Sequence, residues 1–341
     1  MNELQRMADL AAYLAKDPVG QAKSGATPHV IIHRQNKAAV RYFAPKAGVA
    51  VRHPVFISVP LINTWTVFDL LPGKSVVGAL VNAGVPVYLL DWGRPEAEDK
   101  DQTLVDIIDT ILVRAFDRAG RHARAAGTLG HDEAMDAIGY CVGGTFLTIG
   151  LARHPGLARR LTLLATPIDF HASGRLACWA QPAHFPVDAV VDSLGNFPAE
   201  MMKDSFAWLK PASQGRKWKS LWDRFDQPGF REVWSTMEKW SSDNVAFPGE
   251  AYREYVRRCY FDNALLKGGW VLGGRPVDLR GATIPALVLA ADGDHIVPPP
   301  AAFGLKEAWG GPVETRTLSG GHVGVCLGSG LQKVLVEWTA R

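Results

Sequence analysis

The chain has 341 residues, 47% of them hydrophobic and 21% charged, with a formal net charge of +3. That length can bury a sizeable core, as one large domain or a domain carrying an insertion. So small a charge, on Lys and Arg that are mostly scattered, argues against a nucleic-acid surface.

The first residues, MNELQRMADLAAYLAK, include acidic groups and no long apolar core, unlike a signal peptide. Leu4, Met7, Leu10, Ala11 and Leu14 fall near helical spacing and predict an amphipathic helix. Residues 29–43 read as two short strands around a polar turn at Gln35-Asn36-Lys37. Val55–Val59 is an apolar strand ended by Pro60, and a helical stretch is expected over about 70–83. A second buried strand, Val85–Leu90, runs into Asp91-Trp92-Gly93, and a long amphipathic helix is expected over about 102–125. Met135–Gly139 reads as a strand, followed by a helix from about 142 and a strand at Leu161–Ala165. Apolar strands alternating with helices indicate a mostly parallel sheet covered on both faces, an α/β fold.

The pattern breaks after Pro167-Ile168-Asp169-Phe170-His171. Up to about residue 270 the chain is polar, rich in proline and aromatics, with helical pieces and no convincing strand. It carries Trp179, Trp208, Trp218, Trp222, Trp234 and Trp240, six of the 11 tryptophans. Strands resume at Pro285–Ala290 and Val313–Leu318, before a short C-terminal helix. The economical division is a core of residues 1–170 and 271–341, interrupted by a largely helical cap or lid at 171–270. No run reaches the roughly 18 apolar residues that a membrane span needs.

Gly139-Tyr140-Cys141-Val142-Gly143 has the G-x-S-x-G pattern of a nucleophile elbow, with cysteine in the serine position. Such a sharp strand-to-helix turn exposes the nucleophile and needs small neighbours, here Gly139, Gly143 and Gly144. In this architecture, the α/β-hydrolase fold, the acid and histidine follow later strands in the order nucleophile, acid, His. Asp292-Gly293-Asp294-His295-Ile296-Val297-Pro298 follows the strand at 285–290, and Gly320-Gly321-His322 follows the strand at 313–318. Both lie beyond the C-terminal ends of strands, where α/β sheets gather their sites. His322 is thus expected to take the proton of Cys141, with an Asp fixing its tautomer. Asp294 is preferred to Asp292 because it directly precedes Ile-Val-Pro. The backbone N–H of Val142, paired with that of Leu61 or Ile62, is the candidate oxyanion hole. Asn63 is expected to hold that loop.

The four cysteines, Cys141, Cys178, Cys259 and Cys326, form no CxxC pair, which speaks against zinc or disulfides and for a reducing cytoplasm. Cys178, Cys259 and Cys326 read as small buried hydrophobes, and His295 and His171 as structural. No cofactor or metal is expected, and there is no Gly-rich phosphate loop.

These segments resemble the polyhydroxyalkanoate synthases over nearly the whole chain. The likeness includes Pro60-Leu61-Ile62-Asn63, Phe68–Pro72, Asp91–Pro95, Gly139–Phe146, Thr166–His171, Asp294–Pro298 and Gly320-Gly321-His322. The chain's brevity and its Thr166–His171 segment look like the class III type, whose catalytic subunit works with a second, non-catalytic subunit. Pro299 and Pro300 depart from the pattern, standing where many relatives carry a tryptophan. The resemblance implies Cys141, Asp294 and His322 as the triad. It implies transfer of short-chain 3-hydroxyacyl groups, such as 3-hydroxybutyryl, from coenzyme A onto a polyester, by a homodimer at the surface of cytoplasmic granules. A cysteine thioesterase or esterase would share every triad residue. A non-catalytic granule-associated relative would have little reason to keep all three.

Overall fold

The computed structural model describes residues 3–341. Glu3–Leu14 forms helix α1, and Val30–Gln35 (β1) and Ala38–Phe43 (β2) form an antiparallel pair around the turn at Asn36-Lys37. Then come Val55–Ser58 (β3), Val76–Asn82 (α2) and Val87–Asp91 (β4). The helix expected over 70–83 is confined to α2. The Pro72-Gly73 turn precedes it, and the Ser75 side chain caps it by accepting the Gly78 N–H at 2.7 Å. Asp106–Val113 winds with wider, π-type turns straight into Arg114–Ala125 (α3). Asp136–Tyr140 (β5), Cys141–Arg153 (α4) and Leu161–Leu164 (β6) complete the first half.

Between β6 and the next sheet strand the chain is almost wholly helical. The helices are Gly174–Trp179 (α5), Val187–Leu194 (α6), Ala199–Leu209 (α7), Ala212–Arg224 (α8), Phe230–Ser242 (α9), Gly249–Tyr255 (α10) and Ala264–Lys267 (α11). A two-residue hairpin, Val271–Leu272 (β7) with Arg275–Pro276 (β8), ends the segment. Ala286–Ala291 (β9), Pro299–Phe303 (α12), Leu305–Ala308 (α13), Val313–Leu318 (β10) and Ser329–Trp338 (α14) close the chain.

One eight-stranded sheet runs in the order β1-β2-β4-β3-β5-β6-β9-β10. Only β1/β2 and β2/β4 are antiparallel. Every residue of β3, β5, β6 and β9 is buried, as strands covered by helices on both faces must be. β10, the last strand, is only half-buried, and its Glu314 pairs with Arg316 at 2.5 Å and Arg341 at 3.2 Å.

The hydrophobic interior has two parts. The large one spans both faces of the sheet and reaches Phe197, Met202 and Phe247 of the helical segment. The small one is separate: Leu221, Phe225 and Trp234 of the α8–α9 region, packed by Leu10 and Tyr13 of α1 and by Val19 and Phe230. Arg6 pairs with Asp226 at 2.8 Å and the Tyr13 hydroxyl donates to the Arg231 carbonyl at 3.0 Å, so the amphipathic α1 clasps this arm. Among the described residues no helix is long and apolar enough to cross a membrane.

Candidate active site

The parallel strands β5, β9 and β10 release their chain at one end of the sheet, and the three sequence-predicted polar groups stand there. Tyr140 is still extended at φ −123°, ψ 132°, whereas Cys141 sits at φ 51°, in the left-handed region, as the first residue of α4. For a non-glycine residue this conformation costs about 1–3 kcal/mol, and such strain persists only where the surroundings enforce it. Close packing enforces it here. A Cβ on Gly143 would lie 2.2 Å from the Val59 carbonyl oxygen, and one on Gly144 2.1 Å from Thr166 Oγ1. The elbow therefore nests against the ends of β3 and β6 and admits no side chain at those positions.

Asp294 follows β9. Its Oδ1 accepts the backbone N–H groups of Ile296 and Val297, both at 2.9 Å, and its Oδ2 meets His322 Nδ1 at 2.6 Å. The Asp294 side chain is wholly buried and that of His322 is 8% exposed. Asp292 has a different part. It is exposed, and its Oδ1 accepts the Gly320 N–H at 2.9 Å while Gly293 N–H donates to the Gly320 carbonyl at 2.8 Å. Asp292 thus ties the acid loop to the histidine loop, and Asp294 touches the ring.

Burial alone would lower the His322 pKa. The charges of Cys141 and Asp294, with hydrogen bonding to both side chains, outweigh it and carry the pKa up to about 10. A ring so poised keeps its proton at neutral pH, and the titration belongs to the coupled group rather than to one residue.

Cys141 lies where two cavities meet. One, of about 160 Å³, is apolar and lined by Val142, Leu176, Phe206, Tyr255 and Tyr260. The other, of about 510 Å³, is more polar and lined by His322, Asn63, Lys217, Glu238 and Ser241. Ile62, Cys141, Phe206 and Ile296 border both. Of the expected oxyanion donors, Val142 opens the helix beside Cys141 and Ile62 faces both cavities, whereas Leu61 is 2% exposed and lines neither. Neither the Leu61 nor the Ile62 N–H donates to another described residue. Their loop is held from the helical segment, by Val245 N–H to the Ile62 carbonyl at 2.8 Å and Asn63 Nδ2 to Asn244 Oδ1 at 2.6 Å.

The remaining candidates fall outside the site. His295 is exposed and lines neither cavity, and His171 Nε2 lies 3.1 Å from the Tyr260 carbonyl oxygen. Cys259 and Cys326 are buried, but Cys178 is exposed, contrary to its reading as a buried hydrophobe. It lies on the outer face of the short helix α5, where Ala177 takes the inward position. Sequence reasoning missed Phe206, Tyr255, Tyr260 and Ile296 as cavity walls, and Tyr140, whose hydroxyl donates to the His322 carbonyl oxygen at 3.1 Å. Tyr140 had a signal only in its place next to the nucleophile; the aromatic walls had none. Among the described residues no group of three or more His, Cys, Asp or Glu could hold a metal ion.

Residues 122–325 match the family model described as the alpha/beta hydrolase fold. The chain is 34% identical over 315 residues to the poly(3-hydroxyalkanoate) polymerase subunit PhaC of Allochromatium vinosum, covering 91% of this chain and 86% of that protein. It is 30% identical to the subunit of the same name from Thiocystis violacea, with the same coverage. The subunit of the same name from Haloferax mediterranei is 30% identical, matching 92% of this chain and 63% of that longer protein. Among solved structures, a hydrolase from Pseudomonas aeruginosa PA01 superposes with a TM-score of 0.53 at 14% identity, over 93% of this chain and all of that one. A carboxylesterase structure from Nitrososphaera gargenis gives a TM-score of 0.52 at 14% identity, over 92% of this chain and 98% of that one. These two likenesses concern the fold.

Proposed function

Because the chain belongs to the poly(3-hydroxyalkanoate) polymerase family of acyltransferases, we propose that it builds polyester through acyl–Cys141 intermediates, taking short-chain 3-hydroxyacyl groups such as 3-hydroxybutyryl from coenzyme A. The observation that carries this reading is the position of Cys141: strained at an elbow, beside the His322–Asp294 pair, on the border of an apolar and a polar cavity.

The chemistry follows from that setting. The Cys141 thiolate attacks the thioester carbonyl, and the oxyanion is met by the backbone N–H of Val142 and of Ile62, the donor favoured by its place on both cavities. The tetrahedral centre expels the coenzyme A thiolate, which takes the proton held by His322. One thioester has replaced another, so the step is nearly thermoneutral and the acyl group stays activated. A chain hydroxyl then attacks acyl–Cys141, His322 accepts its proton, and the Cys141 thiolate leaves as the new ester forms. Asp294 holds the ring through Nδ1 throughout.

Water competes for the acyl group. Residues 171–270 act as a lid in this reading, and the aromatic walls they give the apolar cavity support it: a dry chamber favours the chain hydroxyl. The apolar cavity suits the acyl group and polyester, and the polar one the pantetheine arm. The active form is a homodimer that works with a second, non-catalytic subunit at the granule surface, which accords with the name "subunit" borne by the relatives.

The test supplies 3-hydroxybutyryl-coenzyme A to the purified chain, alone and with the non-catalytic subunit of a two-subunit polymerase. Thiol release should accompany high-mass polyester. Release of monomeric hydroxy acid without polymer under both conditions would sink the synthase reading and leave a thioesterase.

A further inference from the structure

The nucleophile and the base come from segments far apart in the chain, and one side chain joins them. Tyr140 is the last residue of β5, covalently next to Cys141, and is 1% exposed. Its hydroxyl donates to the main-chain oxygen of His322 at 3.1 Å, across 182 residues of sequence. Its ring lies 5.4 Å from the imidazole at 30° and stacks with Phe68 at 5.5 Å and 28°. Burial, and then the neighbouring Cys326, Cys141 and Asp294, push the Tyr140 hydroxyl well above its ordinary pKa, so it stays a donor. The backbone ties of the histidine loop at Gly320, its N–H to Asp292 and its carbonyl from the Gly293 N–H, involve exposed residues, Asp292 and Gly293. Water competes for such bonds, whereas the Tyr140 hydroxyl is buried and its other neighbour is the weakly hydrogen-bonding Cys326 thiol.

We propose that Tyr140 is a positioning residue: it grips the backbone of the base from the residue that carries the nucleophile, and so sets the spacing between Cys141 and His322. This rests on the roles proposed above for those two residues. The ring supplies packing that phenylalanine can reproduce; the hydroxyl supplies the link that it cannot. An imidazole that drifts from the thiolate loses the charge that raises its pKa, and the proton transfers lose their alignment.

Tyr140→Phe and Tyr140→Leu separate the two contributions. The readouts are kcat and KM with 3-hydroxybutyryl-coenzyme A, melting temperature, and NMR titration of the His322 ring, assigned by its absence in His322→Gln. For Tyr140→Phe the expected result is a wild-type melting curve within a few degrees and kcat lower by about tenfold. KM should stay within about twofold, and the His322 midpoint should move from about 10 toward the ordinary value. Tyr140→Leu should add a fall in melting temperature. A Tyr140→Phe enzyme with wild-type kcat and an unmoved His322 midpoint would overturn the proposal alone. Full turnover by Cys141→Ala would overturn the triad reading and the proposal with it.

Discussion

The sheet and the α8–α9 arm are built on different terms. The central strands of the sheet are buried on both faces, and Phe56, Ile57, Leu163 and Val288 have no exposed surface at all. Fully burying side chains of this kind contributes about 1.5–3 kcal/mol each. The arm has a core of three buried residues, is clasped by an N-terminal helix whose Leu4 and Met7 remain exposed, and carries Trp218 at 48% exposure. The proposed catalytic groups all hang from the rigid region, whereas the arm brings cavity residues such as Lys217 and Glu238. Rigidity is concentrated around the proposed catalytic groups, and the weaker packing lies in the arm that borders the polar cavity.

Substitutions in the two regions should therefore differ in kind. The largest effect is expected from Cys141→Ala: thiol release falls to background while the melting temperature stays near wild type, since alanine removes only the sulfur atom and keeps the elbow's shape. Retained turnover would refute the assignment.

Next comes Asp294→Asn. It should lower kcat by about 10³–10⁴ on the precedent of a triad acid, and also change how stability responds to pH. His322 has a folded pKa raised from about 6.5 to about 10, so its contribution is fully present below the lower value. That contribution is lost as pH climbs through the upper one. Without the carboxylate the folded pKa falls, and the loss of melting temperature between pH 7 and 10 should shrink. An unchanged pH profile would show that the pair does not carry this linkage.

The smallest effect on turnover is expected from Leu221→Ala, which empties the arm's core and costs about 2–5 kcal/mol locally. Hydrogen exchange should quicken in α8, α9 and α1, while β3, β5, β6 and β9 stay protected. Uniform deprotection would mean that the arm and the sheet unfold as one unit, and the contrast would fail.

The same contrast explains what could be read without coordinates. β3, β4, β6 and β9 announce themselves as apolar runs flanked by turns, whereas β10 is mostly polar, and Cys141, Asp294 and His322 all follow the C-terminal ends of strands, where parallel sheets gather their sites. The Ile-Val-Pro after Asp294 is legible in the sequence, and in the fold Asp294 meets His322 at 2.6 Å while Asp292 is exposed. The length of α2 was not legible, because a serine cap and a proline-glycine turn outweighed the apolar pattern before Val76. The cavity walls were hidden for a different reason. Phe206, Tyr255 and Tyr260 converge from helices joined by irregular loops, and no period in the sequence records which faces meet.

β10 bounds the sheet on one side, with its outer backbone groups unpaired by any other strand of the sheet. The loop that delivers His322 leaves from its end. An open strand of this length is a template for another chain to extend, and enzymes crowded on a growing polymer would meet one another often. The Glu314–Arg316–Arg341 charges along that margin make the approach of a second strand costly. The strand that leads into the proposed base thus also carries the charges that discourage a second strand from adding to the sheet.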